Sequence, residues 1–67
     1  MTSVNRVKAF RKAAGLTQYQ LAKQVTVARQ TINLVENDKY NPSLDLCLRL
    51  AKALHTDLNH LFWEEQS

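Results

Sequence analysis

The feature that most limits what this chain can fold into is a break between two short amphipathic stretches at residues 17–36, TQYQLAKQVTVARQTINLVE. Thr17 followed by Gln20 has the capping-box spacing, in which the hydroxyl takes a first-turn amide and the amide side chain reaches back. A helix is therefore expected from Gln18. Leu21, Ala22 and Val25 fall on one stripe of it, while Tyr19, Gln20, Lys23 and Gln24 face away. Thr26, Val27 and Ala28 then interrupt the pattern. A second helix places Ala28, Ile32 and Val35 on its apolar stripe and Arg29, Gln30, Asn33 and Asn37 on the opposite face. Ala22 is small enough for two helices to cross closely, and the break has the length of a helix-turn-helix connection.

The outward face of the second helix carries chemistry. Arginine donates bidentately to guanine, and glutamine or asparagine pairs in the same way with adenine, from a helix narrow enough for a major groove. No carboxylate lies among Arg29, Gln30 and Asn33. Charge along the chain points the same way. Residues 1–41 hold seven lysines and arginines against two carboxylates, whereas residues 42–67 hold two against four. A basic N-terminal half suits phosphates, although uneven charge is also common in domains that bind none.

Sixty-seven residues are expected to make one domain, 1–67, near the size where a core barely suffices alone, which makes a dimer plausible. A single cysteine forbids an internal disulfide, and no Cys/His spacing suggests zinc, so neither metal nor cofactor is expected and a reducing cytoplasm suits the chain. No apolar run nears the ~20 residues of a membrane span, and the first ten residues do not read as an export signal.

Before the break, a helix over 4–14 is expected, capped by Ser3, with Val7, Phe10 and Ala14 inward and Asn5, Lys8 and Lys12 outward. Gly15 then supplies the left-handed residue that ends it, and Leu16 folds back on Phe10. Arg11 falls on the buried stripe of this helix, and Glu36 on that of the third. Two misplaced opposite charges suggest one buried pair, the plainer reading being that each reaches solvent at a helix edge. Pro42 ends a polar loop at 37–41, and Ser43 caps a fourth helix over 44–54. Its polar strip is Asp45, Arg49 and Lys52, and Leu44, Leu46, Cys47, Leu48, Leu50, Ala51 and Leu54 make it apolar on more than one side. A last helix starts at Thr56 as cap, with Asp57 in its first turn and Leu58, Leu61 and Phe62 inward. His55, His60 and Cys47 share no useful face and read as surface imidazoles and a buried thiol. With no triad, carboxylate pair or phosphate-cradling loop, an enzyme is not expected.

These residues resemble the Cro and phage-repressor type of helix-turn-helix regulator, also called the xenobiotic-response-element family, found in bacteria and phages. GLTQYQLA at 15–22, RQTINLVEN at 29–37 and NPSLDLCLRLAKAL at 41–54 carry the resemblance, which spans about 4–62. It implies an all-α, five-helix, lambda-repressor-like DNA-binding domain with the helix-turn-helix at helices 2 and 3. It further implies a transcriptional regulator, a repressor by preference, that binds double-stranded DNA at a palindromic operator as a homodimer. By matching position, base contacts fall on Arg29, Gln30, Asn33 and Leu34. Phosphate contacts fall on Thr17, Gln18, Thr31, Asn37 and Lys39, with Tyr40 and Asn41 as weaker candidates. Gln18 sits in the first turn of its helix, where free amides and the dipole favour an anion.

The resemblance also pairs Arg11 with Glu36 and assigns dimerisation to 55–67, where Leu61 and Trp63 are the candidates. Trp63 folded onto its own domain is the other reading, and residues 64–67 are left as a short extension or disorder. Two positions depart from the family. Thr26 stands where many members have glycine, so the turn is strained or altered, and Ala28 stands where serine or threonine caps the recognition helix, leaving Thr26 as a substitute cap. A second class of function stays open: a protein-binding module, such as an antitoxin-like partner of an unidentified protein, with DNA binding secondary. Arg29→Ala separates the two, because it removes specific DNA binding and spares a protein partner.

Overall fold

The computed structural model describes residues 5–62. Five helices follow in order: α1 Val7–Ala13, α2 Gln18–Val25, α3 Arg29–Glu36, α4 Leu44–Ala53 and α5 Leu58–Phe62. No strand occurs among the described residues. The all-α, five-helix arrangement expected from the sequence is the one observed. The core collects Val7 from α1, Leu21, Ala22 and Val25 from α2, Ile32 and Val35 from α3, Leu46, Leu50 and Ala51 from α4, then Leu54 and Leu61. α2 packs on α3 and α4, α5 on α4 and α1, and α1 on α3. Phe10, Leu16, Val27, Leu58 and Phe62 close over this centre from its edges.

Four helices end in the same way. After α1 the amides of Gly15 and Leu16 donate to the Lys12 and Arg11 carbonyls. The same pair of bonds recurs at Thr26 and Val27, Asp38 and Lys39, and His55 and Thr56. Each is a Schellman closure, which requires a left-handed residue. Gly15, Thr26, Asp38 and His55 have φ of 75°, 62°, 58° and 57°. Only Gly15 was expected there outright. Thr26 takes the strained conformation, so it closes α2 and does not cap α3. Ala28 is the N-cap of α3 with no side-chain hydrogen bond, and its extended backbone leaves it exposed instead of on the buried stripe; the neighbouring Val27 is partly buried in its stead.

Other boundaries differ for local reasons. α1 starts at Val7, not at 4, because Asn5 Oδ1 accepts the Val7 amide at 2.8 Å and the Arg6 amide donates to the Leu61 carbonyl at 2.8 Å. That pairing ties the entry segment to α5. The Asn5 side-chain amide also donates to the Val35 carbonyl. Ser3, the expected cap, lies outside the described residues. Ser43 Oγ accepts the Leu46 amide at 3.2 Å and caps α4. α5 is capped by Asp57, whose Oδ1 accepts the His60 amide at 2.9 Å, and not by Thr56. Leu61, expected at a dimer contact, is wholly enclosed by its own protomer, because α5 turns it into the core beside Val7. A side chain with no exposed surface has none to give a partner. Trp63 and residues 64–67 lie outside the described residues.

Candidate nucleic-acid interface

α2 is fixed by the capping box at its first turn and by a tether from α4 at its last. Thr17 Oγ1 accepts the Gln20 amide at 3.0 Å and Gln20 Oε1 accepts the Thr17 amide at 2.9 Å. At the far end of α2, Arg49 Nη1 donates to the Val25 carbonyl at 2.8 Å, while its Nε and Nη2 grip Asp45 Oδ2 at 3.0 and 2.6 Å. Asp45 and Arg49 lie one turn apart on the polar strip of this helix, so their pairing follows from the spacing; the reach of Arg49 to α2 does not, since nothing in the helix pattern shows which orphan carbonyl a guanidinium will meet. One arginine thus satisfies a C-terminal carbonyl of α2 from α4 and fixes the helix-turn-helix on its support.

On α3, Arg29, Gln30 and Asn33 are exposed, and Thr31 and Leu34 are partly covered. Asn37 is exposed and its Nδ2 donates to the Asn33 carbonyl at 2.8 Å. The only carboxylate on α3, Glu36, is turned inward: its side chain is 1% exposed. Arg11 Nε meets Glu36 Oε2 at 2.6 Å, Arg11 Nη2 meets Oε1 at 3.3 Å, and Arg11 Nη1 donates to the Leu16 carbonyl at 2.8 Å. The two misplaced charges therefore satisfy each other between α1 and α3. Removing Glu36 from the surface leaves the exposed face of α3 with one cation and neutral amides.

Gln18 extends this chain of bonds to the surface. Its Nε2 donates to Glu36 Oε1 at 3.1 Å, and its Oε1 accepts from Arg29 Nη1 at 3.2 Å. The first residues of α2 and α3 thereby touch. Thr17, exposed beside Gln18, accepts the Gln20 amide on its oxygen and keeps its hydroxyl proton to donate. Lys39, Tyr40 and Asn41, all exposed, come from the loop beyond α3. They line an open groove of about 670 Å³ that continues over Leu44, Cys47 and Phe62. Partial burial pushes the Cys47 thiol up from its ordinary range, which favours its neutral form. Among the described residues no group of three His, Cys, Asp or Glu side chains is placed to hold a metal, and no helix is long and apolar enough to cross a membrane.

The comparisons with known proteins agree with this geometry. A family model described as helix-turn-helix (HTH_3) matches residues 7–61. The chain is 44% identical over 57 residues to an HTH-type transcriptional regulator of Archaeoglobus fulgidus, covering 85% of this chain and 81% of the relative. It is 40% identical over 65 residues to the immunity repressor protein of Bacillus phage phi105, covering 97% of this chain but 45% of that repressor. In three dimensions it is similar to the P22 c2 repressor solved in complex with a synthetic operator, with a TM-score of 0.85, 27% identity and coverage of 92% of this chain and 96% of that one. The restriction-modification controller protein C.AhdI from Aeromonas hydrophila superposes with a TM-score of 0.81 at 36% identity, covering 88% and 89% of the two chains. A buried Arg11–Glu36 pair, a capped α2 and an exposed amide-and-arginine face on α3, joined to a family match that runs from α1 to α5, place this chain in the Cro/CI-type helix-turn-helix family of DNA-binding transcription regulators.

Proposed function

We propose that this chain represses transcription as a homodimer, each protomer laying α3 in a major groove of one half of a palindromic operator. The observation that carries the reading is the exposed Arg29, Gln30 and Asn33 face from which the one carboxylate of α3 has been withdrawn. Arg29, Gln30 and Asn33 read base edges, and Leu34, partly covered, meets a thymine methyl. Thr17, Gln18, Thr31, Asn37 and Lys39 take phosphates and fix register without carrying sequence, with Tyr40 and Asn41 as weaker candidates. Within this group Lys39 contributes charge and so sets the salt dependence, while the hydroxyls and amides contribute position. Residues 1–67 act as one unit, and dimerisation is assigned to its C-terminal part, 55–67. Support for the partner comes from α4, where Leu44 and Leu48, one turn apart, are 65% and 51% exposed. Bound over a promoter, such a dimer excludes polymerase; the work belongs to the cytoplasm and involves no chemical reaction.

Selection from random duplex DNA over a salt series, with sedimentation for the oligomeric state, tests this. A palindrome with half-sites about one helical turn, ~34 Å, apart and an affinity falling steeply with salt is the expected result. Retention without an enriched sequence would leave only electrostatic attraction, and no retention would favour a protein partner over DNA.

A further inference from the structure

We infer that Arg49, from α4, is a positioning residue for base reading, because it pins the strained turn from which α3 departs. The inference rests on the reading above that α3 enters the major groove. Its ground is the meeting of two observations at one peptide group. Thr26 is left-handed at φ 62°, and the carbonyl that Arg49 Nη1 takes at 2.8 Å is that of Val25, the residue before it. The torsion φ of Thr26 turns the chain beyond its Cα against that same Val25–Thr26 group. Held from α4, the group cannot swing. The peptide group on the other side of the Thr26 Cα is held as well, by the Val27 amide on the Ala22 carbonyl at 3.0 Å. With both neighbours fixed, Thr26 keeps a conformation that its own side chain disfavours.

Four of the described residues share that conformation, and Thr26 alone among them is β-branched. Gly15 has no side chain to strain, and aspartate and histidine, as at Asp38 and His55, enter the left-handed region more readily than β-branched types. Position matters as much as type. Gly15 precedes α2, Asp38 follows α3 and His55 follows α4, whereas Thr26 lies between α2 and α3. A relaxed Thr26 would therefore re-aim α3 against α2, and move Arg29, Gln30 and Asn33 relative to Thr17 at the start of α2. The grip of Arg49 suits the task of preventing this. Its Nε and Nη2 lie on Asp45 Oδ2 at 3.0 and 2.6 Å, and a planar guanidinium fixed through two of its nitrogens aims the third, Nη1, at one point.

The experiment uses the full chain, the operator selected for it and an unrelated duplex, at a temperature where circular dichroism shows every variant fully helical. The readout is discrimination, the ratio of the two affinities, which a loss of stability alone does not move among folded molecules. Arg49→Met keeps an apolar stem and loses the grip, and its discrimination is expected to fall about 5- to 10-fold, the lower end of what a strained backbone position costs. Thr26→Gly needs no holding, so by itself it keeps the wild-type discrimination, and Arg49→Met added to it costs little. Rescue by this change separates the clamp from a phosphate contact or a surface ion pair at Arg49, both of which are indifferent to the backbone of Thr26. Asp45→Ala gives an independent sign. It frees the guanidinium and removes a negative charge, so an Arg49 acting on phosphate would then bind every sequence more tightly. A loosened clamp instead lowers discrimination and leaves binding to the unrelated duplex no weaker. Intact discrimination in Arg49→Met overturns the inference, as does a loss of equal size in the wild-type and Thr26→Gly backgrounds. Uniform tightening in Asp45→Ala overturns it in favour of a phosphate contact. If the wild type itself does not discriminate, the placement of α3 in the groove fails, and the role of Arg49 with it.

Discussion

Arg11 is 8% exposed as a whole residue, and the Glu36 side chain that it meets is 1% exposed. A pair so enclosed is costly to break from one side. Arg11→Ala leaves a buried carboxylate with Gln18 alone and is expected to lose roughly 3 to 5 kcal/mol, whereas replacing both partners by apolar residues of similar volume recovers most of it. Thermal unfolding of the single and double variants checks this, and an unchanged midpoint for Arg11→Ala would show that the pair contributes nothing net. Thr26 offers a prediction of the opposite sign. A β-branched residue at φ 62° is strained, its side chain is exposed and no other packing is lost, so Thr26→Gly is expected to stabilise by about 1 kcal/mol. In a domain of this size that raises the midpoint by roughly 4 to 8 °C. A lower midpoint would mean that the backbone freedom glycine gains when unfolded outweighs the strain. Strain of this kind is only half legible in a sequence. Gly15 announces a left-handed turn by its type, but Asp38 and His55 take the same conformation because the amides behind them have carbonyls to close on, and that is a property of the folded helix end.

At the scale of the element, α5 has five residues and depends on how it begins. The His60 amide, and after it the His60 imidazole at 2.8 Å, hold the Asp57 carboxyl below the usual carboxylate range. A carboxylate with a lowered folded value contributes stability that is complete above the unfolded value near ~4 and disappears as pH falls through the folded one. The difference in urea stability between wild type and Asp57→Ala should therefore shrink between neutral pH and about pH 3. A constant difference would show that the oxygen caps without help from its charge. α3 lacks a cap altogether, and Ala28→Ser should add roughly 0.5 to 1 kcal/mol by taking a first-turn amide. Calorimetry of that variant checks it, and no gain would mean that the amides are already satisfied by water. Elements were the most legible level of this chain. Capping residues and apolar spacing place α2 and α4 closely, whereas α1 and α5 begin later than the sequence suggests. Asn5 and Arg6 are drawn to other partners, and a carboxylate outcompetes a hydroxyl for the α5 amides. The site was legible as a face and not as a circuit. Side-chain type puts Arg29, Gln30 and Asn33 outward, but the Gln18 and Arg49 bonds cross between helices, and no helical period encodes a crossing.

The dimer proposed above needs an apolar surface for its neighbour on a described chain that measures about 35 × 23 × 21 Å. The apolar surface facing such a neighbour is best supplied by α4. Leu46, Leu50 and Leu54 of this segment are enclosed, while Leu44 and Leu48, four apart on one face, stand out toward solvent. Lysine or glutamate at such positions would cost a monomer nothing, since neither leucine fills the core. Leu48→Glu should accordingly leave the thermal midpoint of the dissociated protomer in place, shift sedimentation from dimer to monomer, and weaken binding to a full palindrome while sparing binding to a half-site. The loss at the palindrome follows from effective concentration: a tethered second protomer binds its half-site intramolecularly, and that advantage, commonly 10²- to 10⁴-fold, vanishes with the tether. If Leu48→Glu sediments as wild type does, the dimer surface lies off α4; if half-site binding falls as well, the substitution has disturbed α2 through α4, and the Arg49 bond to Val25 is the contact to examine.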